Sequence, residues 1–388
     1  MSLFNRVPLA WLNLTHEIRR LLVAVAGTAF AVLLIMVQLG FRGAMFDSTV
    51  QLPRVLNADL ILLSSAKMTM SSKETFPSRR LITVRASPHV EGAWPFYLLY
   101  MLGKWRNPHT GETSVVAIFA FDPNDPAILL PEVQEHAAEL AQGHRVLFDR
   151  RSKPHYGAPV RGDESLLSDH QVEVIGNYTL GTDFVADGNL FTSDLTFRDL
   201  LFPPLARGGA LSAIDLGLIK LKPGVNIEQA RRDLLHSLEP DVTILTKDEL
   251  VAREQKFWQE ATPIGYIFGF GVVLAFFVGV IICYQILYSD IADHLAEYAT
   301  LKAMGYRTSF FYSVMLRQSL IIAVLGFIPG WIASRLLYEY LGGMTGLPLN
   351  LTWTRSVDVL LLTIAMCSLS GLLTIRSVLT TDPAELFK

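Results

Sequence analysis

The residue types that most often do chemistry are present here without the spacing that chemistry needs. The nine histidines are scattered. None forms a His-Glu-x-x-His pair, and no Cys/His cluster of zinc-binding spacing occurs. The two cysteines, Cys283 and Cys367, each fall inside an apolar run. No G-x-x-x-x-G-K-[ST] is found, so the chain lacks the usual loop that cradles nucleotide phosphates. Asp122-Pro123-Asn124-Asp125 suits a calcium ligand set less well than a plain turn. Ser368-Leu369-Ser370-Gly371 resembles a nucleotide-site tetrapeptide, but it lies in an apolar run, where small residues pack helices. No ionisable residue sits in the middle of such a run, which argues against a proton or ion relay. The expectation is therefore no catalytic residue, no metal ligand and no cofactor bound by this chain.

Mechanical candidates remain. Ser289 to Tyr306 alternates polar and apolar residues, with Ile291, Leu295 and Tyr298 at i, i+4, i+7, one face of a helix. Asp290 and Asp293 open it and Lys302 closes it, as the helix dipole favours. Gly305 stands where a left-handed cap would stop it. Asp293, Glu297, Thr300, Lys302, Ala303, Met304, Gly305 and Tyr306 are the residues this helix offers to a partner. A helix lying on lipid is the rival, and its three acidic residues suit anionic lipid poorly. Asp382, Pro383 and Glu385 read as N-cap, N1 and N3 of a last helical turn, a second contact candidate. Gly265 and Gly269 make one G-x-x-x-G, and Gly271, Ala275 and Gly279 repeat at four on a neighbouring face. They suit packing within the chain or a homodimer seam.

The elements that position these residues follow from hydropathy. The chain is 51% hydrophobic with mean hydropathy +0.35, high for a soluble protein, yet 18% charged, too much for spans alone. Net charge is −3, so nucleic acid is not an expected partner. Residues 1–20 read as an interfacial helix with Trp11 at headgroup depth. Residues 21–41 are the first span, too long for a signal-peptide core. Residues 42–262 contain no run able to cross a bilayer and read as a large α+β domain ending in a helical stalk. The second span is 263–288, the polar helix 289–307, the third span 308–335, a short outer loop 336–357, the fourth span 358–376 and a tail 377–388.

Within the domain, Asp59–Leu63 and Leu81–Val84 read as strands. Trp94–Lys104 and Ser114–Phe121 read as a hairpin around a turn cluster, and Pro131–Gln142 as a helix closed by Gly143. Val172–Ile175 is a strand, and Leu216–Leu245 reads strand, turn, helix capped by Asn226, strand. A split near 143–169 would give two subdomains. Pro329 should kink the third span. Arg6, Arg19, Arg20, Lys302, Arg307, Arg317, Arg376 and Lys388 share one side, with Arg335 and Arg355 opposite. The positive-inside rule then places both termini and 289–307 in the cytoplasm and the large domain outside.

Tyr284-Gln285-Ile286-Leu287-Tyr288-Ser289-Asp290, followed by Glu297-Tyr298-Ala299-Thr300-Leu301-Lys302-Ala303-Met304-Gly305-Tyr306, resembles the DevC-type permeases of the MacB/FtsX superfamily, the membrane subunits of type VII ABC exporters. The likeness continues at Leu325–Gly330, at Asp382–Phe387, at Trp105–Gly111 and at Leu221–Val225. It implies a four-span inner-membrane permease acting as a homodimer with a separate ABC ATPase subunit, which carries the ATP and magnesium. It implies a periplasmic membrane-fusion adaptor leading to a TolC-like outer-membrane channel, and a lipid or glycolipid cargo. The 289–307 helix then becomes a coupling helix on the ATPase, and membrane lipids surround the spans. The alternative is an FtsX-like signalling subunit that activates an outer partner without transport. An intramembrane enzyme is disfavoured, because no catalytic pair lies in the spans.

Overall fold

The computed structural model describes residues 18–201, 211–260, 263–293 and 300–380. In chain order these form α1 (Ile18–Thr49), α2 (Gln51–Val55), β1 (Leu60–Ser64), β2 (Phe76–Pro77), α3 (Arg79–Arg85), β3 (Val90–Arg106) and β4 (Thr113–Phe121). Next come α4 (Pro131–Glu135), α5 (Ala137–Leu140), β5 (Arg145–Asp149), β6 (Glu164–Leu167), β7 (His170–Tyr178), β8 (Asn189–Ser193) and α6 (Asp194–Leu201). Then follow β9 (Ala213–Ile214), β10 (Leu216–Leu221), α7 (Ile227–Ser237), β11 (Val242–Thr246) and α8 (Lys247–Glu260). The last elements are α9 (Pro263–Asp293), α10 (Thr308–Thr345) and α11 (Trp353–Thr380). Contacts divide the chain into two units. One holds the described residues up to Gly43, from Ile264 to Tyr340 and from Leu349 on; the other runs from Ala44 to Pro263 and includes Leu341–Pro348.

In the first unit, α1, α9, α10 and α11 are each long and apolar enough to cross a membrane. The helices meet through small residues. A side chain at Gly326 would land 2.5 Å from Thr28, and one at Gly330 2.7 Å from the Ala29 carbonyl, so α10 lies against the backbone of α1. Hydroxyls inside the bundle bond back to their own helices: Ser334 to Gly330 at 2.7 Å, Thr363 to Val359 at 2.7 Å and Thr374 to Ser370 at 2.8 Å. That removes the cost of an unpaired donor in an apolar surround. The α10 helix is assigned without a break through Pro329.

The large α+β domain lies in sequence between the first and second apolar helices. Its nine-stranded sheet runs β11-β1-β10-β3-β4-β8-β5-β7-β6. The expected pair of subdomains is not found. The 17-residue β3 pairs with β10 through Val90–Phe96 and with β4 through Tyr97–Arg106, so one ladder carries through both halves. A further pairing of Trp105 with Leu167 joins β6 to β3 and closes β3-β4-β8-β5-β7-β6 into a small barrel. Alternate strand residues sort to two faces, as a period of two requires. Val116, Ile118, Val146, Phe148, Val172 and Val174 join Trp105 in one buried cluster, while Ala117, Phe119, Leu147 and Ile175 join another. The indole of Trp105 packs tilted against Phe148, centroids 4.7 Å apart, and donates to the Tyr156 carbonyl at 3.1 Å.

Three local expectations change. Leu81–Val84 is part of helix α3, not a strand. Its β-branched residues favour a strand, but Arg80 is buried against Glu239 and Asp241, and Leu81 and Val84 at i, i+3 share one buried face. The helix expected over Pro131–Gln142 breaks at His136 into α4 and α5. The His136 ring Nδ1 donates to the Glu132 carbonyl at 2.8 Å, taking the acceptor that the next turn would use. The first and third apolar helices run on past the last residue of their hydrophobic stretch, to Thr49 and Thr345. A charge ends an apolar run without ending a helix.

Candidate functional site

At one end of the membrane unit, α9 is described as far as Asp293, and residues 300–303 are helical. The stop is a Schellman motif. Gly305 has φ +91°, its N–H donates to Lys302 O at 3.1 Å, and the Tyr306 N–H donates to Leu301 O at 3.3 Å. Leu301 packs against a buried cluster that contains Leu287, Ile291, Phe311 and Ile375. Lys302, Ala303, Met304, Gly305 and Tyr306 remain exposed, Met304 at 64% and Tyr306 at 47%. The Tyr306 ring packs tilted against Phe310, centroids 4.9 Å apart, at the entry into α10. The arrangement presents a short, anchored knob of polar and apolar side chains. Thr300 is exposed on the same segment. Glu297 lies outside the described residues, as do Asp382, Pro383 and Glu385.

The small residues of the second apolar helix divide. Gly279 faces Met366 and Ala31, Gly271 faces Gln38, and Ala275 is 5% exposed. Helices of the same chain occupy the face of these three, which is the packing role that their spacing also suits. Gly269 has no neighbour within 4 Å of an added Cβ, and Gly265 is half-buried.

The second unit holds a junction that the sequence did not reveal. Gln51 Nε2 donates to the Thr182 carbonyl at 3.1 Å and to Ser48 O, at the end of α1, at 3.4 Å. The Thr182 hydroxyl donates to Thr345 O, the last residue of α10, at 3.1 Å. Gly346, at φ +71°, lies too close to the Arg151 carbonyl for any Cβ. Beneath this knot, the buried Asp149 carboxylate accepts from the N–H groups of Arg151 (3.1 Å), Leu180 (3.2 Å) and Gly181 (2.6 Å) and from Asn189 Nδ2 (3.1 Å). Burial raises its pKa, and these donors oppose the rise. The junction thus grips the ends of α1 and α10 around one loop between β7 and β8. Both helices also contribute residues to the membrane unit.

A second grip holds α8. Glu254 is 2% exposed and accepts from the Met70 N–H at 2.6 Å, while Arg253 donates to Lys67 O. The Lys67 ammonium is itself buried, donating to Ser72 O at 2.6 Å, Glu74 O at 3.2 Å and Asp215 at 3.4 Å. Burial pushes the Glu254 carboxyl up to about 7. Sequence pattern could not flag this grip, because Met70 and Glu254, Lys67 and Arg253, and Lys67 and Asp215 each lie more than 140 positions apart. The Asp122–Asp125 stretch is a turn in which Asp122 Oδ1 accepts from Asn124 N at 3.0 Å. Among the described residues no group of three or more His, Cys, Asp or Glu could hold a metal.

Residues 268–383 match the family of FtsX-like permease C-terminal domains. Among solved structures, the periplasmic region of MacB from Actinobacillus actinomycetemcomitans overlays at a TM-score of 0.35 and 13% identity, covering 50% of this chain and 92% of that one. The extracellular domain of the noncanonic ABC-type transporter YknZ from Gram-positive bacteria overlays at a TM-score of 0.32 and 10% identity, covering 49% and 99%. Among curated proteins none matches. Four helices long and apolar enough to cross a membrane, together with the matched domain, indicate an integral membrane protein. The likeness to the FtsX-like permease domain covers less than half of the chain.

Proposed function

We propose that this chain is the membrane subunit of a MacB-like, DevC-type ABC exporter and works by mechanical transmission. The observation that carries the reading is the continuity of α1 and α10. Each is one helix with residues in the membrane bundle and an end gripped at Thr182. A helix is stiff along its axis, so displacement at one end is delivered to the other. In this reading ATP and magnesium bind a separate ATPase, whose closure pushes the exposed Lys302–Tyr306 knob of each protomer in a homodimer. The bundle lies in the inner membrane with both termini cytoplasmic, and the α+β domain is periplasmic. Its movement passes cargo, a lipid or glycolipid, to a membrane-fusion adaptor and a TolC-like channel.

The test is reconstitution of the complex in liposomes. Thr182→Val removes the donor to α10 and should preserve ATPase binding while cargo-coupled hydrolysis falls. Gly305→Val forces a β-branched residue to φ > 0 and should loosen the ATPase itself. Wild-type coupling in both variants overturns transmission through these elements. Stimulation by an outer hydrolase alone, without cargo, replaces export with the FtsX-like signalling reading.

A further inference from the structure

The membrane bundle holds a thiol pair that the transmission reading does not use. Cys283 on α9 and Cys367 on α11 are both free and buried, and their sulfurs lie 3.6 Å apart. The Thr28 hydroxyl of α1 stands 3.5 Å from the Cys283 sulfur. Contacts in the neighbouring turns hold α9 and α11 together at this level. Gly279, one turn before Cys283, leaves no room for a Cβ beside Met366, and the Ser370 hydroxyl reaches across to Val280 O at 2.9 Å. The two sulfurs are therefore held side by side, and small side-chain rotations would bring them to bonding distance.

We propose that Cys283 and Cys367 form a reversible oxidation site in which a disulfide between α9 and α11 locks the bundle. The crevice beside the pair is lined by Ala24, Thr28, Ile286, Leu287, Ser319 and Ile322 and has no room for a water molecule. Its walls are mostly apolar and lie among membrane-spanning helices, so a charged aqueous oxidant is excluded. A neutral, lipid-soluble hydroperoxide is the oxidant class that fits. One thiol sulfur attacks the distal peroxide oxygen, the O–O bond breaks, and a sulfenic acid and an alcohol result. The second sulfur then displaces water from the sulfenic sulfur, and the S–S bond forms. Two thiols and one hydroperoxide thus give one disulfide, one alcohol and one water. Because the closed crevice admits nothing, the first step needs the helices to part, and the second needs them to close again. Oxidation therefore requires a bundle that has opened, and fixes it closed.

The chemistry is tested on the full-length protein in membranes, treated with cumene hydroperoxide, alkylated, and digested without reductant. A peptide pair joining Cys283 to Cys367 is expected, cleaved by dithiothreitol and absent in Cys367→Ala. Recovery of both cysteines unlinked, alkylated or over-oxidised, overturns the assignment. This readout needs neither ATPase nor cargo, so its failure is distinct from failure of the exporter reading. The lock itself rests on that reading. The linked permease should lose coupled hydrolysis and regain it on reduction, while the Cys283→Ala/Cys367→Ala double variant resists the oxidant. Full activity in a quantitatively linked sample overturns the lock.

Discussion

The two units solve the same problem, burying a backbone and its polar groups, by opposite means. In the α+β domain, six glycines serve turns: Gly111, Gly143, Gly157, Gly162, Gly181 and Gly224 all have positive φ. In the bundle, Gly27, Gly279, Gly326, Gly330 and Gly371 sit in helices and serve close approach. Polar groups divide likewise. The domain buries charged Lys67 and Asp149 and surrounds each with several partners, whereas the bundle hydroxyls of Ser334, Thr363 and Thr374 turn back on their own helices. The difference follows from the surroundings. A domain in water can build a polar network from distant loops, while a helix among lipids must be self-satisfied before it packs.

Overpacking the bundle should break this comparison most strongly. Gly330→Leu drives a side chain into the Ala29 carbonyl and Val32, and should cost about 3 kcal/mol or more in detergent unfolding. Gly269→Leu meets nothing in the chain, so its fold should be unchanged. Equal stability of both variants would show that the α1–α10 contact is not tight. Next, Asp149→Ala leaves the buried N–H groups of Leu180 and Gly181 without their acceptor, removes a partner from Arg151 N and Asn189 Nδ2, and should cost the domain about 3 kcal/mol, with Asp149→Asn recovering part. A neutral result would mean that the network is dispensable.

Glu254 sharpens the contrast through pH. Its carboxyl rises from 4.5 to about 7 on burial, so the folded state holds the proton more tightly than the unfolded one. Stability is then lost as pH rises from about 4.5 to about 7 and stays lower above that. Glu254→Gln should stabilise the full-length protein by about 2 kcal/mol at pH 8, with the advantage vanishing near pH 4.5. Parallel melting curves at both pH values would contradict the shift. The smallest effect is expected at Asn226, whose side chain accepts from Gln229 N at 3.1 Å to cap α7. Asn226→Ala should cost about 1 kcal/mol by thermal melting.

Much of the fold was legible. The hairpin of β3 and β4, the strands β1, β7, β10 and β11, and the Asn226 cap follow from period-two patterns and local side-chain chemistry. Helix α3 was not legible, because the burial of Arg80 against Glu239 and Asp241 outweighs the strand preference of its β-branched residues. Of the candidate site, the Gly305 stop could be read locally, since positive φ is a property of one residue and its two neighbouring turns. The Thr182 junction could not, because Gln51, Thr182 and Thr345 carry no pattern of their own and meet only through the chain's path.

The sequence by itself determined the four apolar helices, the presence of a large domain between the first two, and the helix stop at Gly305. These depend on hydropathy and short-range sterics, which act within a few turns. The tertiary structure decided that β3 runs unbroken through one sheet, that β6 closes a barrel against Trp105, and which glycines face their own chain. It also decided that Cys283 and Cys367 touch and that Thr182 gathers two helix ends. Each of those depends on which surfaces meet across tens to hundreds of residues, and a residue's local pattern carries no record of its distant neighbour.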